Sequence, residues 1–170
     1  MVVRRARDRS EKGAVAVEFA LIMPVLVTML FGMVWTGLAY ADHIAVNNAI
    51  REGARYGAAA DLSSSWATSV RDRVIQVYAN GESSLSNSQI CVQLVKSDGT
   101  VAYSWTGSSC GSAPSTWPPT MASGSCVVEV WAAKPRTISL IVFPDLHVTI
   151  GGNSIAYYGR QVTTTCPASP

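Results

Sequence analysis

The sequence predicts an α+β protein in which a long membrane-spanning helix at the N-terminus and a second helix precede a small antiparallel sheet. A run of 23 uncharged residues, Phe19 to Ala41, continues into a helical pattern of apolar side chains. From Gln89 onward, apolar and polar residues alternate in short runs separated by Gly, Ser and Pro, which is typical of antiparallel strands. With 170 residues, the chain has room for one domain beside the apolar run.

The apolar run is long enough to cross a membrane. As a helix rising about 1.5 Å per residue it spans roughly 35 Å, against about 30 Å for a hydrocarbon core. Five of the 13 basic residues and two of the 11 acidic ones precede it, in residues 1–13. Because basic flanks stay in the cytoplasm, we expect a cytoplasmic leader at 1–13, a transmembrane helix at 14–41 and an exported domain at 42–170, in a single-pass protein of the cytoplasmic membrane. The alternative is cleavage after Ala41 as a secretory signal, although the run exceeds the ~7 to 15 residues of such signals.

The helical pattern continues past the membrane segment. No proline occurs from residue 25 to 113, so we expect one helix from about Ala14 to Ala60, kinked at Pro24, which lacks an amide hydrogen. Five residues are expected to face the domain: Ile44, Val46, Ile50, Ala54 and Gly57. A second amphipathic helix is predicted at 65–79, ended by Asn80-Gly81, which completes a helical part at 42–80. Its predicted buried side consists of Trp66, Val70, Val74, Val77 and Tyr78.

Residues 88–160 are expected to be rich in β-strands. Alternation and turn signals predict three strands, at 90–95, 100–105 and 126–131. Residues 137–142 fit a helix or a strand. A last strand pair is predicted from 148–150 and 155–158, joined by a turn at Gly151-Gly152-Asn153.

Four cysteines, Cys91, Cys110, Cys126 and Cys166, all follow the membrane segment. An even number in an exported, oxidising compartment predicts two structural disulfides. No pair shows the C-x-x-C spacing of a zinc or redox site, so no metal is expected. We expect Cys110 to pair with Cys126, closing a Ser- and Pro-rich loop, and Cys91 to pair with Cys166. A Cys91–Cys126 bridge is the alternative.

Charge and motifs argue against nucleic-acid binding and catalysis. Without residues 1–13 the chain has 8 basic and 9 acidic residues, so no nucleic-acid surface is expected. Gly107-Ser108-Ser109-Cys110-Gly111 matches the G-x-S-x-G pattern of hydrolases, but the residues after it do not predict the helix that this motif requires. His43 and His147 lie far apart in the sequence. We therefore expect no catalytic residues, no cofactor and no enzyme activity.

The junction between the leader and the apolar run carries the most specific motif. Gly13 precedes Ala14, and Glu18-Phe19 opens the apolar run. A carboxylate is favourable at a helix start, but at the edge of a membrane it usually has a partner. Further along, residues 49–57 read Ala-Ile-Arg-Glu-Gly-Ala-Arg-Tyr-Gly.

These residues resemble those of a known family. Gly13 with Glu18-Phe19 resembles the site of type IV prepilins at which a membrane peptidase cuts after the glycine. Together with Pro24 and residues 49–57, this motif makes the segment 10–60 similar to TadE-like proteins, which are minor pseudopilins of the tight-adherence (Flp) pilus machinery. The resemblance implies a pilin-like fold and cleavage between Gly13 and Ala14 by a prepilin peptidase. As partners it implies the membrane, other pilin or pseudopilin subunits and the pilus secretion platform.

The apolar helix is expected to act in assembly. The resemblance implies that cleavage gives Ala14 a free amine, which Glu18 of a neighbouring subunit would neutralise. Small residues allow helices to approach closely, and the candidates for such packing are Ala16, Ala20, Pro24 and Gly32. We therefore predict a component of pilus or secretion-machinery assembly. The alternative is a membrane-anchored extracytoplasmic binding or adhesion module that does not enter a pilus.

Overall fold

The computed structural model describes residues 4–78, 84–113, 121–138, 145–159 and 166, with side chains from Gly13 onward. The elements in chain order are α1 (Arg4–Ala59), α2 (Trp66–Tyr78), β1 (Ile90–Lys96), β2 (Val101–Trp105), β3 (Cys126–Ile138) and β4 (Leu146–Tyr157), with a 3₁₀ turn at Asn87–Gln89. The predicted α+β fold, with a long apolar N-terminal helix, a second helix and an antiparallel sheet, is confirmed.

Helix α1 is longer than expected and runs without interruption through Pro24. It includes the leader from Arg4, because Arg, Lys, Glu and Ala favour helix and the leader contains no proline. From Gly13 to residue 45 its side chains are mostly exposed, and burial in the domain begins at Val46. The expectation that Ile44 faces the domain is wrong, since its side chain is 43% exposed. Ile44 and Val46 are two residues apart and so point about 200° away from each other around the helix.

Helix α2 crosses α1 at two glycines. A Cβ atom on Gly53 would lie 2.3 Å from Val74 Cγ2, and one on Gly57 would lie 2.9 Å from Val70 Cγ2. Trp66 Nε1 donates a hydrogen bond to the Gly57 carbonyl oxygen at 3.0 Å. The close approach of the two helices therefore depends on the absence of side chains at both positions.

The burial predicted for α2 is confirmed for all but one residue. Trp66, Val70, Val74 and Tyr78 are buried, whereas Val77 is half-buried at the edge of the core. The predicted end of the helix at Asn80-Gly81 lies outside the described residues.

The four strands form one antiparallel sheet in the order β2-β1-β3-β4. Strand β1 lies opposite the first half of β3, from the pair Lys96–Cys126 to the pair Ile90–Ala132. The longer β3 continues beyond β1 and pairs with β4 as far as Ile138. The three strands predicted at 90–95, 100–105 and 126–131 correspond to β1, β2 and the first part of β3.

Gly151 and Gly152 lie within β4, so the turn predicted there is wrong. Every residue of β4 pairs with β3. A Cβ atom on Gly152 would lie 2.1 Å from Asn47 Oδ1 of α1, and one on Gly151 would lie 2.8 Å from the Ala132 carbonyl oxygen. These glycines make room for a neighbouring helix and strand and do not reverse the chain.

Strand β3 is also longer than predicted. It contains Pro135, which cannot donate to a strand ladder. The pairing of β3 with β1 stops at Ala132, which lies opposite Ile90, the first residue of β1. Pro135 lies beyond this point, where β4 is the strand neighbour of β3 within the described chain. The segment 137–142, which fitted a helix or a strand, begins as strand at Thr137 and Ile138, and its remainder lies outside the described residues.

The two faces of the sheet have different surroundings, because successive side chains of a strand point to opposite sides. On the first face, apolar residues of β1 and β3 join α1 and α2 in the main core: Ile90, Val92, Leu94, Cys126, Val128 and Val130. The opposite face buries Cys91, Gln93, Val95, Val127, Glu129 and Trp131.

Candidate functional site

From Gly13 to Ala41, helix α1 exposes a largely apolar surface. Leu21 is 72% exposed and Met33 is 74% exposed, and most of their neighbours along the helix are exposed as well. Among the described residues, α1 is the helix that is long and apolar enough to cross a membrane. Apolar surface on this scale needs lipid or protein to cover it. The structure is therefore consistent with a single-pass membrane anchor.

The predicted processing residues lie on this exposed helix. Gly13, Ala14, Glu18 and Phe19 are all helical and exposed. A Cβ atom added at Gly13 would meet nothing within 4 Å. A substitution at Gly13 therefore disturbs no packing within the described chain, which makes Gly13 a clean position for testing processing.

The residues proposed for helix packing lie on the same open surface. Ala16, Ala20 and Pro24 are exposed. Gly32 forms a shallow groove with its neighbours, in which Thr36 Oγ1 donates to the Gly32 carbonyl oxygen at 2.7 Å. The groove is lined by Met29, Gly32, Met33, Thr36, Gly37 and Tyr40. Since the Thr36 hydroxyl is satisfied within its own helix, the groove can receive an apolar partner without leaving a buried donor unpaired.

A cluster of charged residues joins α1 to the domain directly after the apolar run. Asp42, the first charged residue after Glu18, has a side chain that is only 10% exposed. Its carboxylate accepts hydrogen bonds from the Tyr78 hydroxyl and from Arg136 Nη1, and lies 3.5 Å from Lys134 Nζ. We call Asp42, Tyr78, Lys134 and Arg136 the junction cluster. It connects α1, α2 and β3 at one point.

The charges of the junction cluster favour an ionised Asp42. Burial by itself raises the pKa of this carboxyl, but the hydrogen bonds from Tyr78 and Arg136 and the charges of Lys134 and Arg136 together outweigh it, so the pKa is lowered. The carboxylate therefore stays charged across the physiological pH range. Lys134 also lies over the Tyr78 ring, 4.7 Å from its centroid.

Sequence reasoning did not find the junction cluster. Lys134 is 92 residues away from Asp42, so no local pattern links them. Lys134 and Arg136 stand two apart in a strand and hence on one face, which was the available signal. That signal was missed because β3 was expected to end at residue 131.

The segment 49–57 that carries the family resemblance contributes mainly to packing between helices. Glu52 Oε1 lies 2.8 Å from Arg73 Nη2 of α2, and Glu52 Oε2 lies 3.3 Å from Arg55 Nε. The hydrogen bond from Arg73 lowers the pKa of Glu52, although burial opposes this. With Gly53 and Gly57 at the crossing, the segment attaches α2 to α1.

The two predicted disulfides are present, but with a different connectivity. Cys91 pairs with Cys110, and Cys126 pairs with Cys166. The expected Cys110–Cys126 and Cys91–Cys166 bridges and the alternative Cys91–Cys126 bridge are therefore wrong. Cys91 and Cys126 point to opposite faces of the sheet, Cys91 beside Trp131 and Cys126 into the main core. A disulfide cannot join side chains on opposite faces.

The remaining residues considered for chemistry lie apart from one another. His43 contacts Asn47 on α1, and Thr137 Oγ1 lies 3.1 Å from His147 Nδ1. Gly107 of the G-x-S-x-G match lies against the backbone of Ser88, where a Cβ atom would be 2.2 Å from its carbonyl oxygen. In the part of the chain that the structure describes, no three His, Cys, Asp or Glu residues are grouped to hold a metal ion.

The fold and the exposed helix together define a class of protein, a small α+β domain carried on one apolar N-terminal helix. The family model described as TadE-like protein matches residues 13–55, from the glycine before the apolar run to the crossing of α1 and α2. The resemblance inferred from the sequence is thus confirmed over this segment, and the family suggests involvement in assembly of the Tad pilus. No curated protein and no solved structure matches the chain.

Proposed function

We propose that this chain is a minor pseudopilin of the tight-adherence (Flp) pilus machinery, cut by a prepilin peptidase between Gly13 and Ala14. It acts by assembly and not by catalysis. Its apolar helix holds it in the cytoplasmic membrane, with the leader inside and residues 42–170 outside. The same helix packs against those of other pilin or pseudopilin subunits.

The observation that carries this proposal is the uncovered apolar length of α1 within the segment that matches the family, residues 13–55. Two environments suit such a helix, lipid and the helices of other subunits. A helix that moves between them can be stored in the membrane and then enter a fibre. The groove at Gly32 offers one place for a neighbouring helix to approach closely.

The charges at the start of the helix fit the same role. Ala14 and Glu18 are four residues apart and share one face of α1. Cleavage would give Ala14 a free amine. Inside a bundle of helices, an amine and a carboxylate are both costly unless they are paired. Glu18 of one subunit next to the Ala14 amine of another would satisfy both groups.

The domain follows the position of its helix. The junction cluster and the crossing at Gly53 and Gly57 attach α1 to the folded part at two levels along the helix. How the helices pack therefore determines where the domain is displayed. In this role the domain primes or tips a fibre, or contacts the secretion platform.

The test is the N-terminus of the mature protein. Purified from native membranes, the wild-type chain is expected to begin at Ala14. Gly13→Leu should keep the leader, because a bulky side chain does not suit a site that selects glycine, and position 13 has open space in the folded chain. Ser10→Leu adds similar bulk within the leader and should leave cleavage unchanged.

Mass spectrometry of the intact protein distinguishes the outcomes. A wild-type chain that begins at Met1 or at Asp42 in cells with an active prepilin peptidase would contradict the proposal. A chain that begins at Ala14 but never co-purifies with pilus subunits would favour the adhesion or binding module instead.

A further inference from the structure

Strand β4 runs beside α1 in the same direction. Near the end of both elements, the Gly159 amide donates to the Ala58 carbonyl oxygen at 3.0 Å. Earlier in both, Gly152 lies directly against Asn47. Between these two contacts the helix advances 11 residues, from Asn47 to Ala58, or about 16 Å, while the other segment advances seven residues, from Gly152 to Gly159. Going back along β4 therefore means going back along α1 toward its apolar run.

The junction cluster is a third contact in this series, closer to the membrane. Asp42 is reached by both Lys134 and Arg136 of β3. In the register of the sheet these two residues stand opposite Ile150 and Val148 of β4. Along the direction of α1, Asp42 therefore lies level with Pro135, the residue between Lys134 and Arg136 on β3.

The two strands continue beyond that level. Within the described residues, the last pair of β3 and β4 is Ile138 with Leu146. Ile138 is three residues past Pro135, about 10 Å along the strand, which corresponds to about 7 Å along α1 when about 16 Å of helix accompany seven strand residues. This distance along α1 leads from Asp42 back to about Gly37. The ends of β3 and β4 therefore lie beside the last part of the apolar run, which finishes at Ala41.

This level coincides with the outer boundary of the bilayer. The apolar run measures roughly 35 Å as a helix and a hydrocarbon core about 30 Å. The boundary on the exported side consequently falls within about one helical turn of Ala41. The strand ends would then meet the bilayer at the junction of headgroups and acyl chains.

Three side chains at this level suit that environment, those of Leu146, Trp35 and Tyr40. The exposed Asp145 and His147 on either side of Leu146 would face the headgroups. Leu146 is 52% exposed and lies opposite Ile138 in the last described pair of the sheet. On α1, Trp35 lies seven residues before Asp42 and so on the same face, and Tyr40 is 66% exposed. Aromatic residues of these two kinds are enriched at membrane interfaces.

We infer that the paired ends of β3 and β4 rest in the outer leaflet and form a second lipid contact beside the helix, with Leu146 inserted at the boundary. The partner of this surface is the lipid bilayer. This inference rests on the membrane anchoring in the proposed function. Two contacts, the helix and the strand ends, would hold the domain in one orientation above the membrane.

The test places an environment-sensitive fluorophore at Leu146→Cys in the full chain, reconstituted in phosphatidylethanolamine and phosphatidylglycerol vesicles. The matched control is Val101→Cys on β2, a position of similar exposure at 50%. Lipids that carry a quencher on the acyl chain should quench the label at 146 several-fold more than the label at 101, and the emission at 146 should shift to the blue.

Vesicle flotation separates the two proposals. Protein that floats with the vesicles but shows equal quenching at both positions would overturn the inference and leave the anchor intact. Protein that does not float would overturn both. A second measurement needs no substitution: a photoreactive group on the acyl chain should label wild-type peptides that contain residues 145–148, and absence of such adducts from floating protein would also overturn the inference.

Discussion

Glu129 lies on the central strand β3 and is only 2% exposed. Its Oε2 atom accepts a hydrogen bond from Gln93 Nε2 at 2.6 Å, whereas Oε1 has no partner within the described residues. Burial raises the pKa of Glu129, and the hydrogen bond from Gln93 opposes this only in part. The folded chain therefore binds this proton more tightly than the unfolded chain. The corresponding stability is present at low pH and is lost as the pH rises through the raised pKa of the folded state.

Glu129→Gln is accordingly expected to stabilise the full chain in detergent micelles at about pH 7, by the order of 1 kcal/mol. The amide keeps an oxygen for Gln93 and cannot take up a charge at this buried position. The gain in stability should shrink as the pH falls toward 4.5, the ordinary pKa of Glu, because the wild-type carboxyl then takes up a proton and becomes uncharged like the amide. Thermal unfolding of both proteins over this pH range measures the difference. A loss of stability at about pH 7 would show instead that the carboxylate is stabilising.

At the scale of elements, the crossing of α1 and α2 depends on close contact between backbone and side chain. Gly53 stands in the middle of a helix, where glycine costs about 1 kcal/mol relative to alanine. Glycine is nevertheless required at position 53, because Val74 of α2 occupies the space that a Cβ atom would take. Packing between the helices thus outweighs the local preference of the chain.

Gly53→Ala is expected to lower the free energy of unfolding by about 1 to 3 kcal/mol, despite the better helix propensity of alanine. Gly37→Ala on the same helix is the matched control, since a Cβ atom there meets nothing within 4 Å. Thermal unfolding in micelles should show a lower midpoint for the first variant and an equal or higher one for the second, because alanine favours helix where its Cβ atom meets no neighbour. Equal midpoints would mean that Val74 moves aside at little cost.

At the scale of the whole molecule, assembly and processing make separate demands on the start of α1. Glu18 is exposed and lies on the face that it shares with Ala14. The pairing proposed for Glu18 involves a second subunit. Its loss should therefore affect assembly, while folding and membrane insertion of the single chain continue.

Glu18→Gln is the corresponding prediction. The amide keeps the size and the helix propensity of glutamate but removes the charge that would pair with the Ala14 amine. Cleavage and membrane insertion should match the wild type, while recovery of the chain with pilus subunits drops several-fold. Mass spectrometry and quantitative blotting of sheared pili in a strain that lacks the native gene give the two readouts. Normal incorporation of the variant into pili would contradict the proposed pairing and would leave Glu18 only a stabilising role near the start of the apolar helix.

The features that the sequence predicted correctly depend on neighbours along the chain. The apolar run, the amphipathic face of α2 and the alternation in β1 are periodic patterns that each element carries by itself. The number of disulfides also followed from composition and compartment. The motif around Gly13 and Glu18 was sufficient to indicate the family, because it lies in a segment whose residues are close together in the sequence.

Tertiary structure alone decided which distant residues meet. The pairing of Cys91 with Cys110 and of Cys126 with Cys166 follows from which face of the sheet each side chain occupies, and that depends on the register between β1 and β3. The glycines at 151 and 152 looked like a turn, because a missing side chain gives the same signal whether the chain reverses or a helix packs against it. The contact between Asp42 and Arg136 joins residues that are 94 positions apart in the chain. The sequence by itself determined the long apolar helix, α2 and the first strands, whereas the full extent of β3 and β4 and the junction cluster arise only when these elements pack together.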